Sequence, residues 1–362
     1  MTLKNHHARR YPCDDTKTLA LAARSKENEA KVKVAVFDTH HYDRPVLEQA
    51  NHQNHELIFL ESCLSVVTAD LAKGCRVVSC FANDRVDREV IEKLKSLNVD
   101  LLTIRGAGFN NIDLRAANEN GLAVMRVPAY SPHAIAEHAV ALLLTLNRKT
   151  HHAFNRVRDL NFSLEGLVGF DLIGKTVGVI GTGRIGQAFA SIMRGFGCTV
   201  LVMDVKPDRP WALSCGAQYV ELQELYERSD VISLHAPLND STKHLIGDAA
   251  FQRMKRNVVL INTSRGALIE TSSLLKALKQ KQIAGACLDV YEEEDGIFAQ
   301  DLSENGIDDD LLARLITFPN VLITAHQAFL THEALANIAQ TTFENINAFV
   351  TNQASLNRLT DA

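Results

Sequence analysis

None of the seven cysteines, Cys13, Cys63, Cys75, Cys80, Cys198, Cys215 and Cys287, stands in a C-x-x-C pair. An odd, scattered set of this kind supports neither a zinc knuckle nor a redox dithiol, and reads as small thiols in a reducing compartment. Long apolar runs are also missing. The first 31 residues are polar and of mixed charge, so they do not read as a signal peptide, and the apolar stretch Ala139–Leu146 is far too short to span a bilayer. A cytoplasmic chain with no membrane partner is expected. Neither sign of charge dominates, since the net charge is -5 with 22% charged residues, which removes the basic excess that a nucleic-acid partner demands. Internal repeats, low-complexity tracts and an H-E-x-x-H ligand set are absent, and no metal site is expected.

What is present is length and a repeating α/β rhythm. A chain of 362 residues fits two well-cored domains. Regular structure is expected from about Lys31, where Val32, Val34 and Val36 alternate with other residues as in a strand, followed by short apolar runs at Leu57–Phe59, Arg76–Cys80 and Leu101–Ile104. Ser131 can cap and Pro132 can open a helix, and the apolar periodicity that follows predicts one long helix leaving one domain and entering the next. From Lys175 the pattern is βαβ: Val177–Ile180, a glycine turn, an amphipathic helix, then Val200–Met203. Further strand-like runs follow at Val231–Leu234, Val258–Asn262, Ala286–Val290 and Val321–Thr324. That rhythm predicts an α/β protein with doubly wound parallel sheets. The closing helical stretch, His332–Phe349, is too short for a domain and is expected to complete the first one.

Gly181, Gly183 and Gly186 form a G-x-G-x-x-G spacing that follows a strand and opens a helix, with Arg184 and Ile185 in the helix's first turn. Asp204 ends the next strand. Only such a turn lets a backbone approach a pyrophosphate at a helix N-terminus, while an acid at Asp204 suits the hydroxyls of an adenine ribose and repels a 2′-phosphate. The expected cofactor is NAD, although Lys206 and Arg209 lie near. Ligands of such sheets sit at the carboxyl ends of the strands. There, His235 and Pro237 are expected on the adenine side, and Thr263 and Asp289 near the nicotinamide half.

Two further strand ends carry residues suited to hydride chemistry. Arg265 follows the strand VVLIN, and a guanidinium there can hold the carboxylate of a 2-oxo acid through two hydrogen bonds. His326 closes the run VLITAH just past a strand, and a histidine can protonate a carbonyl oxygen as hydride arrives. A carboxylate partner would fix its tautomer. Spacing alone leaves Glu292, Glu293 and Glu294 open as that partner.

The segments LTIRGAGFNNIDL, RVPAYSPHAIAEHA, NFSLEGLVGFDLIGKTVGVIGTGRIG, DVISLHAPL, NTSRGALI, LDVYEEE and TAHQAFLT together resemble the D-isomer-specific 2-hydroxyacid dehydrogenase family, and within it the bacterial fermentative D-lactate dehydrogenases. The resemblance runs from Val32 to the C-terminal helix. It implies two Rossmann-like domains: a discontinuous substrate domain (32–129 plus a C-terminal segment from 329) with an NAD-binding domain (130–328) inserted. It implies a cleft that closes over both ligands, with pyruvate reduced to D-lactate. It also implies that Arg265 orients the substrate, that Glu294 pairs with His326 as proton donor, and that Tyr130 helps hold the substrate. The backbone around Ala107 and Gly108 receives the carboxylate, and Phe329 crowds the side-chain end of the pocket. Dehydrogenases of 2-hydroxyisocaproate, glyoxylate or phosphoglycerate are the alternative substrates, and a nucleotide-sensing interaction protein the non-enzyme alternative. A homodimer or homotetramer is implied, with apolar surface on the helix after Ser131 and on NFSLEGLVGF. Two features depart from the family pattern, namely residues 1–31 and Ala325 where many relatives carry proline.

Overall fold

The computed structural model describes residues 31–361, so Cys13 and nearly all of the polar N-terminal stretch lie outside the described residues. By internal packing the chain divides after Pro128 and again after Asn337: one unit is 31–128 with 338–361, the other Ala129–Asn337.

The first unit is built on five parallel strands, β1 (Lys33–Val36), β2 (Glu56–Phe59), β3 (Val77–Cys80), β4 (Leu101–Ile104) and β5 (Ala123–Arg126), in the order β2-β1-β3-β4-β5. Strands β3 and β4 are buried along their whole length, which is why they read as continuous apolar runs rather than alternating ones. Asp87 and Asp113 cap the helices Arg88–Ser96 and Leu114–Glu119 by accepting from Val90 N and Ala116 N. One face of the sheet is covered by the C-terminal helix His332–Val350, whose Ala339, Phe343 and Ile346 pack on Val34, Val36, Val77 and Leu101. The chain after that helix then runs along the open edge of β5. Arg126 N donates to Asn357 O at 3.0 Å and Leu359 N to Val124 O at 2.8 Å, closing an edge that would otherwise offer unpaired backbone.

The second unit holds seven parallel strands: β6 (Thr176–Ile180), β7 (Thr199–Met203), β8 (Ala217–Tyr219), β9 (Val231–Leu234), β10 (Val259–Asn262), β11 (Gly285–Leu288) and β12 (Val321–Ile323). Their order is β12-β11-β10-β9-β6-β7-β8, so the winding reverses at β6. Such a reversal leaves a crevice at the carboxyl ends of the strands flanking it. The helix Pro132–Arg148 starts where Ser131 Oγ accepts from Ala134 N at 3.2 Å. It buries Ala139, Leu143 and their neighbours on Phe189, Ala190 and Met193 of the Arg184–Gly195 helix.

This corrects the expected inter-domain helix. Pro132–Arg148 lies wholly within the second unit, breaks at Lys149 in a left-handed conformation, and continues as the separate helix Thr150–Arg158. The element that runs from one unit into the other is His332–Val350, with the division falling inside it after Asn337 rather than before it at 329.

Candidate active site

The turn after β6 is shaped by what its glycines exclude. Gly181 has φ +94°, and a Cβ there would lie 2.6 Å from the His235 backbone. A Cβ on Gly186 would stand 1.9 Å from the Gly181 carbonyl oxygen, so the helix can begin this close to the strand only without a side chain. Gly183 is different, because nothing lies within 4 Å of its would-be Cβ. Among the described residues the space beside Gly183, which precedes the helix beginning at Arg184 and Ile185, is therefore open, as a pyrophosphate requires. Asp204, just past β7, faces back to this turn: Thr182 N donates to its Oδ2 at 2.6 Å and Lys206 N to its Oδ1 at 2.8 Å. His235 packs on Phe189 with ring centroids 5.1 Å apart and shares a hydrogen bond with Ser233 Oγ. Burial pushes its imidazole down to about 3, so the ring is neutral. Pro237 is exposed beside it. At the end of β10 the Thr263 hydroxyl is buried with no partner among the described residues. An open cradle at Gly183, a carboxylate at Asp204 and an orphaned hydroxyl at Thr263 fit a dinucleotide laid across these strand ends.

Arg265 stands where β10 turns. Asn262, fully buried, donates from Nδ2 to Arg265 O at 2.8 Å and accepts from Ser264 N at 3.1 Å, fixing the turn from within. Gly266 then passes so close to the next strand's turn that a Cβ would meet the Tyr291 carbonyl oxygen at 1.9 Å. The Arg265 guanidinium donates only to Ser264 O, and among the described residues no carboxylate pairs with it.

The acid left open by spacing is resolved by the turn after β11. Glu294 Oε2 accepts from Tyr291 N at 3.0 Å, which swings Oε1 to 2.9 Å from His326 Nδ1. Glu292 points elsewhere, to His244 at 2.5 Å and to Thr271 N, while Glu293 is exposed. Tyr291 itself is anchored through its hydroxyl to Asp309 Oδ2 at 2.7 Å.

His326 has φ +51°, a left-handed conformation that costs a non-glycine residue about 1–2 kcal/mol. Asp289 holds it there. The Asp289 carbonyl accepts from His326 N at 2.7 Å. Its carboxylate accepts from Gln327 N and Ala328 N at 2.9 Å each and from Thr324 Oγ1 at 2.5 Å, and His138 Nε2 lies 3.3 Å away. Asp289 has no exposed surface. Its Oδ1 is thus bonded to the backbone and side chains that shape the histidine turn, while Oδ2 accepts from Ala328 N alone. Tyr130 and Phe329 meet edge to face at 6.5 Å, and burial raises the Tyr130 phenol above its ordinary value. Ala107 and Gly108 belong to the other unit, in the loop after β4. Asn262, Tyr291 and Thr324 are residues of the site that the sequence does not single out. They shape turns through hydrogen bonds, and the only sequence signal for them is their place within three residues of a strand end.

Residues 140–328 match the family model of the D-isomer specific 2-hydroxyacid dehydrogenase, NAD binding domain. The D-lactate dehydrogenase of Escherichia coli is 50% identical over 317 residues, 87% of this chain and 96% of that protein. The chain belongs to the D-isomer-specific 2-hydroxyacid dehydrogenase family. Two solved structures extend the likeness to the whole described fold. The apo-structure of the Escherichia coli D-lactate dehydrogenase has a TM-score of 0.83 at 47% identity, covering 90% of this chain and 99% of that one. The pyruvate reductase of Chlamydomonas reinhardtii has 0.86 at 43% identity, covering 91% and 99%. This dehydrogenase is accordingly an NAD-dependent enzyme of 2-hydroxy and 2-oxo acids.

Proposed function

We propose that the dehydrogenase reduces pyruvate to D-lactate, with His326 as general acid, Glu294 as its partner and Arg265 as the carboxylate ligand. The observation that carries this reading is the 2.9 Å pair between His326 Nδ1 and Glu294 Oε1, together with an Arg265 that has no acid partner among the described residues. When bound, NADH supplies the hydride. Glu294 occupies Nδ1, so Nε2 is the atom left to give a proton to the carbonyl oxygen of the 2-oxo acid. A guanidinium bonded only to a backbone oxygen keeps its remaining donors for a carboxylate. Gly181, Gly183, Arg184, Ile185 and Gly186 receive the cofactor's phosphates, Asp204 its adenine ribose, His235 and Pro237 flank the adenine, and Thr263 serves the nicotinamide half. Ala107 and Gly108 give their N–H groups to the substrate carboxylate. The edge-to-face rings of Tyr130 and Phe329 favour a methyl over a longer side chain, a discrimination worth about 1–3 kcal/mol per methylene. Similarity to the Escherichia coli enzyme supports pyruvate as the substrate.

Among the described residues no helix is long and apolar enough to cross a membrane, and cytoplasmic action as a homo-oligomer completes the reading. The test is NADH oxidation with pyruvate, 2-oxobutyrate, 2-oxoisocaproate, glyoxylate and 3-phosphohydroxypyruvate. The highest kcat/KM is expected for pyruvate, with D-lactate as product. Preference for another acid moves the protein elsewhere in the family, and no turnover with any of them overturns the catalytic assignment.

A further inference from the structure

The loop after β4, residues 105–109, is oriented by β5 and not by its own turn. Val127 N donates to the Gly106 carbonyl at 3.2 Å, and Arg126 Nη1 donates to the Ala107 carbonyl at 3.1 Å. The same guanidinium lies over the Phe109 ring, 5.1 Å from its centroid, so it grips the loop on both sides of Gly108. In a trans peptide the C=O of one residue and the N–H of the next point in opposite directions. Tying the Gly106 carbonyl therefore aims the Ala107 N–H away from β5, and tying the Ala107 carbonyl does the same for the Gly108 N–H. Neither N–H has an acceptor among the described residues. Two adjacent, half-buried, unpaired donors facing one way form a receptor for an anion.

We infer that Arg126 is a positioning residue for substrate binding, which acts by setting the direction of the Ala107 and Gly108 N–H groups rather than by touching the substrate. The inference rests on the proposed role of those two N–H groups in receiving the substrate carboxylate. The C-terminal tail takes part, because both backbone groups of Arg126 are held there. Its N donates to Asn357 O at 3.0 Å, its O accepts from Asn345 Nδ2 at 2.9 Å, and Asn357 Nδ2 joins the two by donating to Asn345 Oδ1 at 2.8 Å. The arginine is thus fixed at its base by the tail and at its tip by the loop.

The test compares the wild-type dehydrogenase with Arg126→Met, which keeps the packing over Phe109 and removes the donors, and with Arg126→Lys, which restores one donor. Three quantities are read: KM and kcat for pyruvate, the inhibition constant of oxamate as a carboxylate of pyruvate's shape, and the Kd of NADH by fluorescence. Arg126→Met should raise KM and the oxamate constant roughly tenfold with kcat within about twofold, the signature of lost ground-state binding. NADH affinity should not move, because Arg126 and the glycine turn belong to different units. Arg126→Lys should fall between the two. An unchanged KM in Arg126→Met, or a parallel loss of NADH binding, overturns the assignment alone. A wild-type protein that neither turns over 2-oxo acids nor binds oxamate overturns the reading of the site, and this assignment with it.

Discussion

His326 is held in an unfavourable backbone conformation by a residue that does no chemistry of its own. The strain at φ +51° is small beside the four hydrogen bonds that Asp289 contributes to residues 324–328. The result is an imidazole fixed by its backbone on one side and by Glu294 on the other. Replacing it by His326→Gln should leave NADH binding intact and lower kcat/KM for pyruvate reduction by about 10²- to 10⁴-fold, the range of a lost general acid, as measured by steady-state kinetics. His235 yields a stability prediction instead. Its folded pKa lies near 3, below the unfolded value of about 6.5, so the unfolded state binds the extra proton between those two values. Stability is therefore complete above about pH 6.5 and falls as the pH drops toward 3. Between pH 7 and pH 5 this residue should cost the wild type up to about 2 kcal/mol, a loss that His235→Asn removes, which urea midpoints at the two pH values would show. At this scale Arg265 and His326 were legible because a charged or titratable group at the end of an apolar run is conspicuous. Glu294 was not separable from its neighbours by spacing. Tyr291 N decides which carboxylate swings toward His326, and that bond depends on a turn whose geometry the letters do not carry.

Strands and their turns show the same division between what pattern reveals and what packing decides. The βαβ around Gly181 was readable because a period-two run, a glycine triplet and an amphipathic helix follow one another. β5 and β8 were overlooked: Ala123–Arg126 and Ala217–Tyr219 are short, and their place in the sheets comes from neighbours distant in sequence. The tail that covers β5 is still less visible, since a bridge between Met125 and Arg358 leaves no periodic trace. The glycine turn, by contrast, supports a sharp prediction, because its two outer glycines are needed by the fold and the middle one is not. Gly181→Ala must force a Cβ against the His235 backbone at 2.6 Å, and at φ +94°, so its melting temperature should fall. Gly183→Ala adds a methyl where nothing lies within 4 Å, at φ -66°, and should melt like the wild type. Its NADH affinity should nevertheless drop at least tenfold by fluorescence titration, because the methyl enters the space proposed for the pyrophosphate. Equal affinity of Gly183→Ala and wild type would place the phosphates elsewhere.

For the whole molecule, the segment from 154 to 173 poses the clearest physical question. It carries Phe154, Val157, Leu160, Phe162, Leu164, Val168 and Ile173, all at least half exposed, on a stretch that beyond Arg158 has neither helix nor strand. Yet its backbone is held in place. Arg156 Nη1 donates to Glu165 O at 2.7 Å, Asn161 N to Arg156 O at 2.9 Å, and Asn147 brackets Phe170 with two bonds of 2.8 Å. Phe170 and Leu172 pack into the core of the second unit, but the seven outward apolar side chains gain little from burial there. A run of this size exceeds the scattered apolar residues that a monomer's surface ordinarily shows. The proposed homo-oligomer would make the occupant a second copy of the chain, since one patch meeting itself closes into a two-fold dimer without further parts. Leu164 is nearly four-fifths exposed and makes no side-chain polar contact, so a charge there should leave the fold of one copy intact while introducing an unpaired carboxylate at the shared face. Leu160→Asp combined with Leu164→Asp should therefore convert an assembly that sediments as a dimer or larger into a monomer at micromolar concentration, with the Kd of NADH unchanged because the glycine turn carries neither residue. A wild-type protein that sediments as a monomer, or a double variant that keeps the wild-type assembly, would show that this arm is covered by something other than a second copy.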